Sequence, residues 1–282
     1  MSKSTNKASR NSPIFVSTIF KSGTKLLEYL INQLTGLSVI TPDMIHGYDS
    51  KNIFNDEESD KRITLEEGNF FIWHNVINNK VKAYLSEVNA KPILLIRNLY
   101  DLLVSQYYHF SKDVDKSIGH GTNTAEYFEK MDETQGISYI LCGGTSEKFH
   151  WHGFGLYLHQ IQEALKFSKE YPCHIIIYDR LVLNKHEEIE RLASFLNLEL
   201  SFEQIDNAMK SSSLTQMRLQ RLREVGSGDH FRKGEPGNHT TILKPFHYDM
   251  VSYLKLSFAP ELDALCKELQ YGDVVAPKRV DL

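Results

Sequence analysis

Apolar residues along the chain follow two periodicities, which alternate from one end to the other. Ile14 to Val16 is a short apolar run that reads as a buried strand. After a small polar loop, Leu27, Leu30, Ile31 and Leu34 recur on one helical face, and Gly36 supplies a stop signal. The same pairing returns with Phe70 to Trp73 as a strand and Val81, Tyr84, Leu85 and Val88 as a helix face. Behind Pro92, Ile93 to Ile96 is a third strand, and its unbroken apolar character predicts burial on both sides. A helix resumes from Tyr100. Leu158, Ile161 and Leu165 mark a further helix, Ile175 to Ile177 a fourth strand, and Ile189, Leu192, Ala193 and Leu196 the helix after it.

Two stretches break this rhythm. Ser111 to Lys148, punctuated by Gly119, Gly121, Gly136, Gly143 and Gly144, reads as loops and short helices near an opening. Gly226 to Pro245, with four glycines and two prolines, reads as a long loop before a helix near Tyr248. No internal repeat or low-complexity tract occurs. Alternation of strand and helix predicts an α/β fold: a single domain over residues 13–282, with a central parallel sheet flanked by helices. Residues 1–12 are polar and read as a flexible tail.

Composition narrows the function classes. The net charge of −4 argues against nucleic acid or an anionic membrane as partner, so any anion must be held by a local constellation. No stretch approaches the roughly 18 to 20 apolar residues of a membrane span, and the start of the chain lacks a signal-peptide pattern. Cys142, Cys173 and Cys266 are far apart and form no CxxC pair, which suits reduced thiols in a cytoplasmic protein. His150, His152 and His159 lack an evident further ligand, so no metal is expected.

Two segments could carry chemistry. Between the first strand and its helix lies Ile19-Phe20-Lys21-Ser22-Gly23-Thr24-Lys25. Amides at a helix start attract anions, Gly23 permits close approach, and Ser22, Thr24 and Lys21 add donors. The alternative is an ordinary capped turn. The loop is not G-x-x-x-x-G-K-[ST], which disfavours a nucleotide kinase or triphosphatase. The second segment opens with Arg97 at the end of the third strand, where open α/β sheets bind ligands, and Ser105 follows about two helical turns on. Arg97 can grip a phosphate in bidentate fashion, or instead pair with Asp101.

Together these segments resemble the cytosolic, small-molecule type of sulfotransferase, which uses 3′-phosphoadenosine 5′-phosphosulfate (PAPS) as donor and releases adenosine 3′,5′-bisphosphate (PAP). The likeness runs from about residue 14 to 245 and implies a P-loop-like strand-loop-helix. It assigns Lys21, Ser22, Gly23 and Thr24 to the 5′-phosphosulfate, with Lys25 beside them, and Arg97 and Ser105 to the 3′-phosphate. Tyr178-Asp179 resembles a segment whose Tyr lies near adenine, and Ser211-Ser212-Ser213-Leu214 one near the nucleoside. Phe231-Arg232-Lys233-Gly234 resembles the loop that closes over the 3′-phosphate. His74, after the second strand, stands where the family carries its general base, and Lys21 takes the leaving-group side. Phe20, Tyr107, His109, Phe149 and His152 are candidates for the acceptor pocket. No metal is required.

Departures from the family pattern are specific. Lys25 replaces a usual second Thr, Leu26 a Trp that often stacks on adenine, and Leu214 a common aromatic. Ile72 and Trp73 precede His74 where Lys-Thr is usual. The segment after Thr240 does not match the family's short dimer motif, which leaves the oligomeric state open. The resemblance implies sulfuryl transfer to a hydroxyl or amine of a small molecule, with a catalytically silent PAPS- or PAP-binding protein as the alternative.

Overall fold

The apolar runs are strands because both of their faces are covered. The computed structural model describes residues 12–40, 69–112, 124–145, 150–225 and 234–277. In chain order the first elements are β1 (Ile14–Thr18), α1 (Thr24–Thr35), β2 (Ser38–Ile40), β3 (Asn69–Trp73), α2 (Asn79–Glu87), β4 (Lys91–Ile96) and α3 (Leu99–Ser111). Next come α4 (Thr124–Phe128), α5 (Glu133–Cys142), β5 (Gly144–Thr145), β6 (His150–Trp151), α6 (Gly155–Glu170) and β7 (His174–Ile177). The remainder is helical: α7 (Tyr178–Leu183), α8 (Lys185–Leu196), α9 (Phe202–Ser211) and α10 (Leu214–Val225). A 3-10 turn at Asn238–Thr241 precedes α11 (Pro245–Phe258), α12 (Leu262–Glu268) and α13 (Gly272–Val275).

Five strands form a parallel sheet in the order β2-β3-β1-β4-β7. Alternate residues of each strand face opposite layers. Ile14 and Val16 of β1 pack with Leu27, Leu30 and Ile31 of α1 and with Ile189 and Leu192 of α8. Phe15 points the other way, into a layer with Phe71, Val81, Leu85, Leu94 and Phe167. The Phe15 and Phe71 rings stack with centroids 5.8 Å apart, and each such ring contributes about 1.5–3 kcal/mol by leaving water. A third cluster joins α3, α5, α6 and α11 beside the sheet. The continuous hydrophobicity of Ile93 to Ile96 follows from this double coverage.

The strand order also fixes where a ligand belongs. From β1 the chain builds β2 and β3 on one side, then crosses to place β4 and β7 on the other. The crevice at the carboxyl ends of β1 and β4 is thus the topological switch point. Helix α1 stops at Gly36, whose φ of 71° and N–H bond to the Asn32 carbonyl terminate the turn.

Against the sequence reading, one strand is added, the short helices expected within 111–148 are found, and the loop of 226–245 gains a turn. Strand β2 was not anticipated. Within 111–148 the structure describes α4 and α5, and Gly136 lies inside α5 rather than breaking it. A side chain at Gly136 would meet the Tyr107 ring at 2.4 Å, so this glycine serves packing. The described part of the 226–245 loop contains the 3-10 turn, and Pro245 is the first residue of α11, a position where its missing N–H costs nothing.

Candidate active site

The loop leaving β1 is a tight turn in which Ser22 donates its N–H to the Ile19 carbonyl at 2.9 Å. Two of its residues have left-handed backbone, Lys21 at φ 70° and Gly23 at φ 110°. Gly23 caps α1 with no side-chain hydrogen bond, so the first-turn amides face outward uncapped by a side chain. A Cβ at Gly23 would lie 2.4 Å from the Tyr178 ring, which excludes any larger residue. The Ser22 hydroxyl is buried and has no hydrogen-bond partner. Such a group costs about 1–3 kcal/mol unless something fills it.

Arg97 arrives from the end of β4, buried, with Cζ 4.5 Å from the centre of the Tyr178 ring. Its Nη1 donates to the Lys21 carbonyl at 3.2 Å, while its Nε is buried without a partner. Two donors, Ser22 Oγ and Arg97 Nε, are therefore unsatisfied on the elements that flank the switch point, and an anionic group at each would satisfy them. Ser105 is half-buried on α3, downstream of Arg97.

Asp101 does not form an ion pair with Arg97 among the described residues. Its carboxylate accepts the N–H groups of Gly237 (2.6 Å) and His239 (3.1 Å) instead. Asn98 caps α3, its Oδ1 accepting from Tyr100 N at 3.0 Å and Asp101 N at 3.3 Å. The Asn98 Nδ2 donates to the carbonyls of Asp273 (2.7 Å) and Ala276 (3.0 Å).

Tyr178 sits where β7 meets α7, and its hydroxyl donates to the Gly234 carbonyl at 2.9 Å. Burial pushes this phenol above its ordinary range. Leu214 lies against Gly234, 3.3 Å from where a Cβ would stand. Ser212 turns inward: its hydroxyl donates to the Ala208 carbonyl at 2.6 Å, and Lys185 Nζ donates to the Ser212 carbonyl at 2.9 Å. Lys25 is ion-paired with Glu28 at 2.7 Å, and Leu26 is buried in the layer above the sheet. Arg232, Lys233 and Phe149 lie outside the described residues.

His74 follows β3 and is exposed on one side. Its Nδ1 lies 2.9 Å from Thr18 Oγ1 and 3.3 Å from the Thr18 carbonyl. Donation of an Nδ1 proton to that carbonyl puts the basic lone pair on Nε2. Thr18 Oγ1 also lies 3.0 Å from Thr24 Oγ1, so one hydroxyl links His74 to the start of α1. Gln160 of α6 donates to the His74 carbonyl, and Gln106 of α3 to the Phe20 carbonyl, each at 3.3 Å. Lys21 Nζ approaches His109 Nδ1 at 3.4 Å. An ammonium can only donate, so this contact places the His109 ring proton on Nε2.

The acceptor candidates do not all gather. Phe20 and His109 meet edge to face at 5.0 Å beside Lys21. Tyr107 packs away from that pair, against Gly136 and the Phe128 ring at 6.1 Å. His152 is exposed just beyond β6. No group of three His, Cys, Asp or Glu able to hold a metal occurs among the described residues. Thr18, Gln106 and Gln160 were missed from sequence. The one signal for Thr18 was a hydroxyl at the end of an apolar strand beside a glycine loop.

Residues 11–268 match the family described as the sulfotransferase domain. Mouse sulfotransferase 1B1 is 29% identical over 185 residues, 61% of this chain and 56% of its own length. Human sulfotransferase 2A1 is 26% identical over 207 residues, 69% of this chain and 66% of its own. The chain thus spans less than two thirds of these relatives. Mouse sulfotransferase SULT7A1 complexed with PAP superposes with a TM-score of 0.67 at 17% identity, over 95% of this chain and 91% of that one. Retinol dehydratase in complex with androsterone and PAP gives 0.55 at 16% identity, over 92% and 82%. These structures share the fold.

Proposed function

The chain belongs to the sulfotransferase family, and on that premise we propose that it transfers a sulfuryl group from PAPS to a hydroxyl, or an amine, of a small molecule. The observation that carries the reading is the pair of buried, unpartnered donors, Ser22 Oγ and Arg97 Nε, at the switch point of the sheet. Relatives crystallised with PAP support the same donor. Ser22, Gly23 and Thr24 hold the 5′-phosphate, and Arg97 with Ser105 the 3′-phosphate, joined by Arg232, Lys233 and Gly234. The ring of Tyr178, with Leu214 near it, borders the nucleoside.

When bound, PAPS supplies a sulfuryl group already activated on a phosphate. His74 takes the acceptor proton at Nε2 as the acceptor oxygen bonds to sulfur. Lys21 offsets the negative charge gathering on the departing phosphate oxygen. Catalysis then rests on positioning and charge stabilisation, as in phosphoryl transfer. Phe20 and His109 border the acceptor. Residues 13–282 act as one catalytic domain, in the cytoplasm.

Incubation with labelled PAPS and a panel of small hydroxyl and amine acceptors tests the reading. Release of PAP with a sulfated product supports it. Binding of PAP without turnover on any acceptor favours a silent binding protein. His74→Ala should lower turnover on a hydroxyl acceptor by roughly 100- to 10,000-fold and leave PAP binding nearly intact. Near-normal turnover in the folded variant would remove His74 from the mechanism.

A further inference from the structure

Asp101 is 1% exposed, yet it is a full carboxylate one helical turn beyond Arg97. It spends both oxygens on one short loop, accepting Gly237 N–H at 2.6 Å on Oδ2 and His239 N–H at 3.1 Å on Oδ1. The His239 ring is fully buried against the same carboxylate, Nδ1 3.2 Å from Oδ1, and neither ring nitrogen has hydrogen-bond geometry with a partner. Burial alone would raise this carboxyl. The His239 ring, the Gly237 amide and the Arg97 charge nevertheless hold it below its usual range, and therefore ionised.

The other end of the loop is fastened as well. The Tyr178 hydroxyl donates to the Gly234 carbonyl at 2.9 Å, and the face of that ring carries the Arg97 guanidinium. Gly234 and Gly237 both have left-handed backbone, at φ 72° and 88°, which lets so short a segment bend between its two fixed ends. Both fastenings are neighbours of Arg97: one is a turn away on α3, the other lies under its guanidinium.

We infer that Asp101 and the Tyr178 hydroxyl are positioning residues that clasp the Gly234–His239 loop beside Arg97, and that preference for a 3′-phosphorylated nucleotide depends on this clasp. The inference rests on the proposed reading of Arg97 as a 3′-phosphate ligand. It assigns Asp101 a task distinct from touching the nucleotide, since its oxygens are already spent on backbone amides. An ionised group can accept two amides at once, whereas a neutral amide side chain would turn an N–H toward one of them.

The test is titration of wild type and Asp101→Asn with adenosine 3′,5′-bisphosphate and with adenosine 5′-monophosphate, which lacks the 3′-phosphate. Wild type should prefer the bisphosphate. Asp101→Asn should lose roughly 10- to 100-fold in affinity for the bisphosphate while its affinity for the monophosphate stays put, so the preference collapses. A folded variant that keeps the preference, or loses both ligands equally, overturns the clasp. If Asp101→Asn does not fold, Gly237→Pro, which removes the N–H that Asp101 accepts, carries the same comparison, and a retained preference there overturns the clasp. A wild type with no preference for the bisphosphate instead sinks the underlying reading of Arg97.

Discussion

Arg97, at the end of β4, and Ser105, midway along α3, should differ in weight. Arg97 offers a fork of charged donors with an unfilled Nε, and Ser105 one neutral hydroxyl. Arg97→Ala should weaken adenosine 3′,5′-bisphosphate binding by roughly 10- to 100-fold or more, and Ser105→Ala by less than about tenfold. Calorimetric titration of the folded variants decides it. Unchanged affinity in a folded Arg97→Ala variant would mean that the 3′-phosphate sits elsewhere. At this scale the sequence disclosed residues whose type is unusual for their place: a lysine and glycine at a strand end, an arginine after an apolar run. It concealed Thr18 and Gln160, because a threonine in a strand and a glutamine in a helix look ordinary until the fold brings both to His74. Asp101 was visible only as a partner for Arg97. Its true partners are backbone amides more than 130 residues away, and a backbone amide leaves no mark in the order of side chains. Lys25 shows the converse: its charge drew attention to the phosphate loop, but Glu28, one turn along α1, takes it up.

Strands and helices were legible where both periodicity and length were sufficient. The β1, β3, β4 and β7 runs stood out because layers above and below demand apolar residues on both faces. Strand β2 has three residues, the first of them an exposed serine, at the edge of the sheet, so it had no pattern to show. Helix α5 was obscured by Gly136, which suits a helix only because Tyr107 occupies the space of its absent side chain. One strand end has a thermodynamic consequence. His174 opens β7 with its ring stacked on Phe195 of α8, centroids 5.5 Å apart. Burial, with Arg191 adding to it, lowers this imidazole from the ordinary 6.5 to about 4. The unfolded chain therefore takes up the proton first as pH falls. The stability tied to neutral His174 is complete above about pH 6.5 and drains away down to about pH 4. His174→Phe should flatten that stretch of the stability profile, measured by urea unfolding across the window. An unchanged slope in the variant would show that the ring does not titrate differently on folding.

For the molecule as a whole, a net charge of −4 repels anions at a distance, so the proposed nucleotide affinity would have to come from contacts at the switch point. A ligand held only by the folded state stabilises it by mass action, about 2.7 kcal/mol at a hundred times its dissociation constant. Adenosine 3′,5′-bisphosphate should raise the melting temperature by several degrees, and ATP by clearly less. An equal or larger shift with ATP would count against a PAPS site. The cap of α3 reaches furthest across the chain. Asn98 joins the start of the helix that bears Ser105 to the carbonyls of Asp273 and Ala276, and the nearer of these is 175 residues later. During translation at about 5–20 residues per second, roughly 10 to 35 s pass between the synthesis of Asn98 and that of its partner. Throughout that interval the nascent chain lacks the two acceptors that the buried amide requires, and the proposed nucleotide site cannot close around a finished cap. Ribosome-bound chains halted before residue 273 should therefore be cut by protease near the start of α3, with or without the bisphosphate, whereas the released protein resists. Protection of the halted chain by nucleotide would show that the site matures without its last residues.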